Sequence, residues 1–217
     1  MPAREELLRF VATRTAPAPV PLAPELTLHQ ATELTPLWHA TAAELAGWDD
    51  SPWWAFPWAG GQALARLLLD RPGLVLGRSV ADFATGSGLC AIAAARSGAR
   101  ETVALDRDPM CEAAVALNAA LNGVALRFLT GDPIGEALPG VEVLLAGDVF
   151  YERDLAERAW AWFRERAAGG VLVLAGDAGR AYAPRAGFEV LASYDVPTTV
   201  AIEDAPVRAA RVLRVQP

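Results

Sequence analysis

The chain of 217 residues is short of several residue types, and each shortage narrows what the protein can be. It has no lysine, because all 19 basic residues are arginines, and it has two histidines. Its two cysteines, Cys90 and Cys111, lack the spacing of a metal site, so we expect no metal and assign both thiols to the core. No apolar run approaches the roughly 20 residues that span a bilayer, so we expect no membrane partner.

Charge and composition narrow the class further. The formal net charge is −7, which makes nucleic acid an unsuitable partner. A content of 53% hydrophobic and 21% charged residues is typical of a globular protein. The first residues lack the apolar core of a secretory signal, so we expect a cytoplasmic location.

The sequence pattern divides the chain into two parts. Residues 1–50 read as a helical N-terminal extension with a proline-rich connector, and residues 51–217 read as one catalytic domain. Within the extension we predict helices over 3–13 and 31–47. Between them, the prolines of 16–24 predict a stiff extended connector.

From residue 79 onward, predicted strands and helices alternate, which indicates a parallel sheet with helices on both faces. The predicted strands cover 79–83, 102–106, 125–129, 142–147 and 171–176. The predicted helices cover 88–97, 109–121 and 154–167, and another precedes them at 62–70. Two closing strands, in 188–196 and 207–215, predict an antiparallel hairpin at the edge of the sheet.

The most informative segment is a short apolar strand followed by a tight glycine turn. Asp82 ends the strand, and Gly86 and Gly88 form the turn, where they let the backbone approach a cofactor closely. Asp106 ends the next strand and can bind ribose hydroxyls. A carboxylate at Asp82, on the expected rim of the pocket, would repel a pyrophosphate and attract an ammonium group. S-adenosylmethionine carries an ammonium group and no phosphate, so the sequence predicts a methyltransferase.

Other nucleotide-binding functions stay open at this point. Gly86-Ser-Gly-Leu-Cys-Ala91 also fits the dinucleotide pattern, and Asp106 would serve an NAD ribose equally well. A nucleotide oxidoreductase and a binding module without catalysis are therefore the alternatives. Asp132 follows the third strand and places a carboxylate where the adenine amino group would arrive, although it could also form a turn before Pro133.

The methyl acceptor should lie beyond the fourth strand. Asp148 and Tyr151 follow this strand and would project towards the cofactor. An aromatic stretch, Trp53 to Trp58, supplies a second candidate wall, since aromatic faces bind alkylammonium groups. Within it, we assign Trp54 to substrate binding.

Three motifs in this order carry a resemblance to a known family. Trp53–Arg66, Asp148–Tyr151 and Leu174–Arg180 resemble segments of the lysine methyltransferases that modify the electron transfer flavoprotein β subunit. The similarity covers roughly residues 50–215. It implies a Rossmann-like, seven-stranded class I methyltransferase sheet, S-adenosylmethionine as the cofactor, and a lysine-containing protein as the substrate.

The resemblance also implies roles for individual residues. Asp148 and Tyr151 would shape the lysine channel, with Phe150 between them as a further substrate contact, and Trp58 would line the cofactor pocket. Ala84 stands where the family has the first glycine of the turn, and we count it among the cofactor contacts.

Beyond the fifth strand, Arg180 is assigned to the protein substrate. Methylation of a small amine or a heterocyclic nitrogen stays as the alternative activity, because the same aromatic site would hold a free base.

Overall fold

The fold is taken from a computed structural model. It describes the following residues: 3–31, 33, 36, 37, 39 and 51–217. The helix predicted over 31–47 falls for the most part outside the described residues.

In the part of the chain that the structure describes, the following helices and strands are bounded. The helices are α1 Arg4–Arg14, α2 Ala59–Asp70, α3 Leu89–Arg96, α4 Pro109–Leu121, α5 Arg153–Ala168 and α6 Val200–Glu203. The strands are β1 Ala16–Val20, β2 Ala23–Gln30, β3 Ser79–Phe83, β4 Glu101–Asp106, β5 Arg127–Thr130, β6 Val143–Gly147, β7 Leu172–Asp177, β8 Phe188–Pro197 and β9 Val207–Val215. Short 3₁₀ turns occupy Trp53–Ala55 and Pro72–Leu74.

Seven strands form one sheet in the order β5-β4-β3-β6-β7-β9-β8. Strands β3 to β7 run parallel, and β9 pairs antiparallel with both β7 and β8. The predicted seven-stranded, mostly parallel sheet with a terminal antiparallel hairpin is therefore confirmed. Because β3 is flanked by β4 on one side and β6 on the other, the strand order reverses there, and ligands bind at the carboxyl ends of strands at such a point.

Local sequence explains why these elements form. Every residue of β3 is buried, as expected for a strand covered on both faces. Helix α4 begins at Pro109, and the Asp108 side chain accepts a hydrogen bond of 2.8 Å from the Met110 amide as its N-cap. The core has a cluster on each face of the sheet, one built around α2 and α3 and the other around α5.

The prediction of a connector over residues 16–24 was wrong, although the extended backbone that it included is present. Instead of a connector, this segment contributes strand β1 and the start of β2, which pair antiparallel as a separate two-stranded sheet. Pro17 and Pro19 alternate along β1 with Ala16 and Ala18. The two missing amide groups therefore fall on one edge of the strand, and proline is tolerated at an unpaired edge.

The described N-terminal residues pack against the rest of the chain. Leu26 and Leu28 of β2 are fully buried in the cluster that contains α2. Phe10 and Val11 of α1 are buried with Met110 at the start of α4. This extension therefore contributes to the same core as the sheet.

Two classes of feature do not occur in the described part of the chain. No helix there has both the length and the apolar composition that a membrane crossing requires. No group of three or more His, Cys, Asp and Glu side chains there is arranged to hold a metal ion.

Candidate active site

A cavity opens at the carboxyl ends of β3, β4 and β6, at the reversal of strand order. Nine of the predicted site residues line it: Trp58, Asp82, Ala84, Gly86, Asp106, Asp132, Asp148, Tyr151 and Arg180. The structure therefore brings together residues that are separated by more than a hundred positions in the sequence.

Asp82 lies at the base of this cavity and not on its rim, since 1% of its surface is exposed. Its Oδ2 accepts hydrogen bonds from the Thr85 hydroxyl at 2.5 Å and from the Ala91 amide at 3.0 Å. Its Oδ1 is buried and has no hydrogen-bond partner among the described residues. Burial, opposed in part by these two donors, raises the pKa of the Asp82 carboxyl to about 7.

An unpartnered carboxylate oxygen at the base of a cavity fits the amino group of S-adenosylmethionine. A buried acceptor without a partner costs roughly 1–3 kcal/mol, and a cationic amine would remove that cost. A pyrophosphate would instead add negative charge beside it. This carboxylate acceptor therefore suits the predicted cofactor and disfavours a dinucleotide.

The turn after β3 is shaped by three residues with positive φ. These are Ala84 at 50°, Gly86 at 52° and Gly88 at 83°. Gly88 does not line the cavity, but it caps α3, and a Cβ there would come within 3.0 Å of the Val115 side chain. Ala84 has a left-handed backbone conformation although it carries a side chain, so this position carries steric strain.

Asp106 stands opposite this turn and is held by it. Its Oδ2 accepts a hydrogen bond from the Gly86 amide at 3.0 Å, and its Oδ1 accepts one from the Asp108 amide at 3.0 Å. Burial raises the pKa of Asp106, although these backbone donors oppose the rise. The Cys111 side chain also hydrogen-bonds this carboxylate. Because a carboxylate has about four acceptor positions, one is left for a ribose hydroxyl.

Asp132 also lines the cavity, but its oxygens are already engaged. Oδ1 accepts from the Ile134 amide at 3.1 Å, which is the predicted turn, and Oδ2 accepts from Arg158 at 2.7 Å. Its role as an adenine contact stays a prediction.

Three aromatic side chains form one wall of the cavity. Trp53 is 40% exposed and its ring centroid lies 5.3 Å from that of Trp58 and 5.5 Å from that of Tyr151. The Trp58 indole nitrogen donates a hydrogen bond to the Trp53 carbonyl at 2.9 Å, which fixes the two rings together. Burial raises the pKa of Tyr151 to about 12, so its hydroxyl is neutral at physiological pH.

Two of the predicted substrate contacts are corrected by the structure. Trp54 is 1% exposed and packs edge-on against Phe10 in the core, and Phe150 is fully buried against Trp160. Neither lines the cavity. Trp53, and not its neighbour Trp54, faces the cavity together with Trp58. The 3₁₀ turn over Trp53–Ala55 rotates adjacent side chains by about 120°, and the sequence gives no signal for which of the two faces inward.

Asp148 is held by a bidentate ion pair that the sequence did not predict. Its Oδ1 accepts from Arg180 Nε at 2.7 Å, and its Oδ2 accepts from Arg180 Nη2 at 2.8 Å and from the Gly60 amide at 3.0 Å. Asp148 also has a φ of 106°, which is a strained conformation for a residue with a side chain. Strain of this kind clusters at functional sites.

Arg180 bridges Asp148 to a second buried carboxylate. Arg180 Nη1 and Nη2 each donate to Glu203 at 2.9 Å, and Glu203 Oε1 accepts from the Ala59 amide at 3.1 Å. Burial alone would lower the pKa of Arg180, but its hydrogen bonds to Asp148 and Glu203 raise it, so it stays charged. Four of the five N–H donors of the Arg180 guanidinium are therefore engaged within the protein. Glu203 was missed because nothing in its local sequence marks it.

The two carboxylates together hold the start of α2. They accept from two successive amides of its first turn, Ala59 and Gly60, whose donors have no partner within the helix. The approach is close because Gly60 meets Gly176 of β7 backbone to backbone, where a Cβ on Gly60 would lie 2.8 Å from the Gly176 carbonyl oxygen. The Gly60-Gly61 pair is thus explained by packing.

Sequence relatives identify the family. The chain is 37% identical to the electron transfer flavoprotein beta subunit lysine methyltransferase of Danio rerio over 199 residues, which cover 89% of this chain and 76% of that protein. The chain belongs to this lysine methyltransferase family. It is also 40% identical to the family member of Rattus norvegicus over 161 residues, which cover 73% of this chain and 62% of the rat protein. The match thus spans less than two thirds of the rat relative.

Comparisons of wider scope give a partial match to another family and a likeness in fold. Residues 66–145 match the family model of ribosomal protein L11 methyltransferase (PrmA). In structure, the fold resembles a putative RNA methyltransferase of Pyrococcus horikoshii, with a TM-score of 0.54, 16% identity, and coverage of 72% of this chain and 80% of the other. It also resembles the tRNA (uracil-54, C5)-methyltransferase of Pyrococcus abyssi in complex with S-adenosyl-L-homocysteine, with a TM-score of 0.51, 16% identity, and coverage of 70% and 38%.

The family membership confirms the resemblance found in the sequence motifs. Together with the fold, it confirms S-adenosylmethionine as the cofactor of this class of enzyme. The cytoplasmic location and the roles of individual site residues stay predictions, since likeness to these proteins does not test them.

Proposed function

We propose that the protein is a protein-lysine methyltransferase that uses S-adenosylmethionine. Its substrate would be the electron transfer flavoprotein β subunit or a protein with a similarly basic loop. One observation carries the proposal. A single cavity combines an unpartnered buried carboxylate oxygen, at Asp82, with an acceptor wall made of Asp148 and exposed aromatic rings.

Asp82, Asp106 and Trp58 are the residues that would hold the cofactor. Asp82 Oδ1 would accept from its amino group, the remaining acceptor position of Asp106 would take a ribose hydroxyl, and Trp58 would pack beside it. When bound, S-adenosylmethionine supplies a methyl group on a positively charged sulfur. The remaining work of the site is to align an amine and to keep it unprotonated.

Deprotonation of the acceptor is the larger demand. A lysine in water has a pKa of about 10.4, so freeing its lone pair at pH 7 costs about 4–5 kcal/mol. The aromatic wall of Trp53 and Tyr151 offers little solvation to an ammonium group and therefore favours the neutral amine. Both rings are about 40% exposed, so a side chain from another protein could reach them. The proton would leave the amine to water before the side chain is enclosed.

Asp148 is suited to orient this amine. Three of its four acceptor positions are taken, two of them by Arg180, and one on Oδ1 is free for a single hydrogen bond from the acceptor nitrogen. Because the carboxylate is already paired with a guanidinium, it would position the amine without acting as its base.

The test is methyl transfer from labelled cofactor to purified electron transfer flavoprotein, followed by mass-spectrometric mapping of the modified residue. We expect label on a lysine of the β subunit. Asp148→Asn should slow the transfer by roughly 100-fold, because the amine loses its alignment, while S-adenosylhomocysteine affinity in calorimetry changes little. Asp70→Asn, which removes an exposed carboxylate on the far end of α2, serves as the matched control and should behave as the unmodified protein.

Other outcomes would count against the proposal. Asp148→Asn with unchanged turnover would remove the role given to Asp148. Label that appears in small molecules of a cell lysate and never in protein would favour the alternative activity on small amines or heterocycles.

A further inference from the structure

The ion-pair network behind Asp148 is larger than lysine alignment requires. A buried carboxylate could be satisfied by backbone amides, yet here a guanidinium is held in bidentate contact with Asp148 and with Glu203 at the same time. The side chains of Asp148 and Glu203 are 3% and 2% exposed, and that of Arg180 is 16% exposed. Burying three charges is costly, which suggests a function beyond stability.

The charges around Asp148 balance. The titratable groups that face it are Arg180 after β7, Glu203 on α6, Cys90 on α3 and Tyr151 after β6, and Arg208 on β9 contacts Glu203 at 3.4 Å. Burial raises the pKa of the Cys90 thiol and of the Tyr151 hydroxyl, so both are neutral. Two carboxylates then face two guanidiniums, so these four side chains together contribute no net charge. Asp106, Arg107 and Glu152 are the further charged groups that act on Tyr151.

This balance answers a problem that Asp148 would otherwise create. A lone carboxylate next to the acceptor would favour the ammonium form and raise the pKa of the lysine, which opposes methyl transfer. A carboxylate that is already paired with Arg180 exerts much less of this effect. It can still accept one hydrogen bond at Oδ1.

We propose that Arg180 and Glu203 are positioning residues that set the charge of the acceptor site, so that Asp148 can align the lysine amine without holding it protonated. Arg180 neutralises Asp148, and Glu203 fixes Arg180 against the first turn of α2. This inference rests on the proposed lysine methylation. It assigns to Arg180 a role inside the site, in place of the substrate contact predicted from the sequence.

The test is the pH dependence of the single-turnover rate constant for methyl transfer to the flavoprotein β subunit, which isolates the chemical step. The half-maximal pH of its acidic limb reports the pKa of the bound acceptor amine. Arg180→Met leaves the carboxylates in excess, so the half-maximal pH should rise by about one unit or more. An amine is a stronger base than either carboxylate, so the extra proton resides on the lysine.

Glu203→Gln should move the acidic limb of the pH profile to lower pH. It removes a negative charge and keeps an oxygen for the Ala59 amide, so the half-maximal pH should fall. Arg180→Lys keeps the charge but loses the two-pronged contact, so it should slow the reaction with little movement of the limb. Arg127→Met is the control. Arg127 is an exposed arginine at the start of β5 that pairs with Glu101, and the pH profile of this variant should match that of the unmodified protein.

The two opposite shifts separate an electrostatic role from a structural one. If Arg180→Met and Glu203→Gln slow transfer at every pH without moving the limb, or move it in the same direction, the proposal is wrong. If Arg180→Met does not fold, Glu203→Gln decides alone, and a limb that stays in place or rises contradicts the proposal.

A different result would mark failure of the proposed function itself. A wild-type protein that binds S-adenosylhomocysteine but transfers no methyl group to any amine would remove lysine methylation. The network would then be tested by thermal unfolding at neutral pH, where Arg180→Met should lower the melting temperature more than Arg127→Met does, because two buried carboxylates lose their cationic partner. Equal melting temperatures for the two variants would overturn the pairing.

Discussion

At the scale of single residues, the carboxylate of Asp82 shows how far local sequence can be interpreted. Its position before a glycine turn predicted a cofactor with a cationic group and no phosphate. The sequence placed it on the rim of the pocket, whereas in the structure it lies at the base with Oδ1 unpartnered. Burial depends on the turn closing over the residue through Thr85 and Ala91, which no pattern in the sequence reveals.

Ala84 gives a prediction at the same scale. It has a φ of 50°, a conformation that costs a side-chain-bearing residue about 1–2 kcal/mol and glycine much less. Part of the gain from glycine is offset by its greater freedom in the unfolded chain. Ala84→Gly should therefore raise the free energy of unfolding by about 0.5–1 kcal/mol, measured by urea denaturation.

Ala161→Gly is the matched control for that variant. Ala161 lies on the exposed face of helix α5, where glycine should lower the free energy of unfolding by about 1 kcal/mol. The same substitution, alanine to glycine, should thus raise the free energy of unfolding at position 84 and lower it at position 161. Loss of stability in both would show that the turn is not strained at Ala84.

At the scale of elements, the contact between α2 and the sheet is the most restrictive in the fold. A Cβ on Gly176 would overlap the Gly60 carbonyl, and a Cβ on Gly147 would lie 3.1 Å from the Gly61 Cα. Both close approaches bring the start of α2 to the carboxyl ends of β6 and β7. The same approach lets Asp148 accept a hydrogen bond from the Gly60 amide, so the packing of α2 and the proposed acceptor site are linked.

This contact predicts a large effect of one methyl group. Gly176→Ala should lower the free energy of unfolding by about 3 kcal/mol or more, because the backbone of α2 must move. Methyl transfer should fall with it, since Asp148 loses its amide partner. Gly73→Ala is the control: Gly73 has open space around its Cβ position, and alanine there should change stability by less than about 0.5 kcal/mol. Similar losses in both variants would contradict the packing account.

Elements were predicted best where periodicity is strong and worst where proline dominates. Strand β3 and helix α4 match their predicted bounds, 79–83 and 109–121, because each is a clear apolar run between turn or capping residues. Strand β1 was predicted as a connector, because its prolines read as a linker when the partner strand is not known. Pairing between strands is a tertiary property, and a single sequence carries it poorly.

At the scale of the whole molecule, the alternation of strands and helices was sufficient to predict a parallel sheet. The motifs then predicted which residues would meet at its carboxyl edge. The ion pair of Asp148 with Arg180, and its extension to Glu203, could not be predicted. Asp148 follows β6, Arg180 follows β7, and Glu203 lies between β8 and β9, so only the folded sheet brings them together. A site assembled from distant strands leaves no local pattern.

The central claim is that this cavity holds S-adenosylmethionine with its amino group on Asp82. The most direct test is the affinity for S-adenosylhomocysteine, measured by calorimetry between about pH 5.5 and pH 7.5, where the ligand's amino group stays protonated. The pKa of Asp82 is raised to about 7 in the free protein, so below that value binding of a cation must release a proton. Affinity should therefore fall up to about tenfold for each unit of pH below 7.

Asp82→Asn should bind more weakly near neutral pH and lose this dependence. The variant should also remain folded. Because the pKa of the Asp82 carboxyl is raised to about 7 in the folded protein, the stability it contributes at low pH is lost as pH rises through about 7, and asparagine, which does not ionise, avoids that loss. An affinity that is the same for both proteins and flat across the range, or a preference for a nicotinamide dinucleotide, would contradict the account.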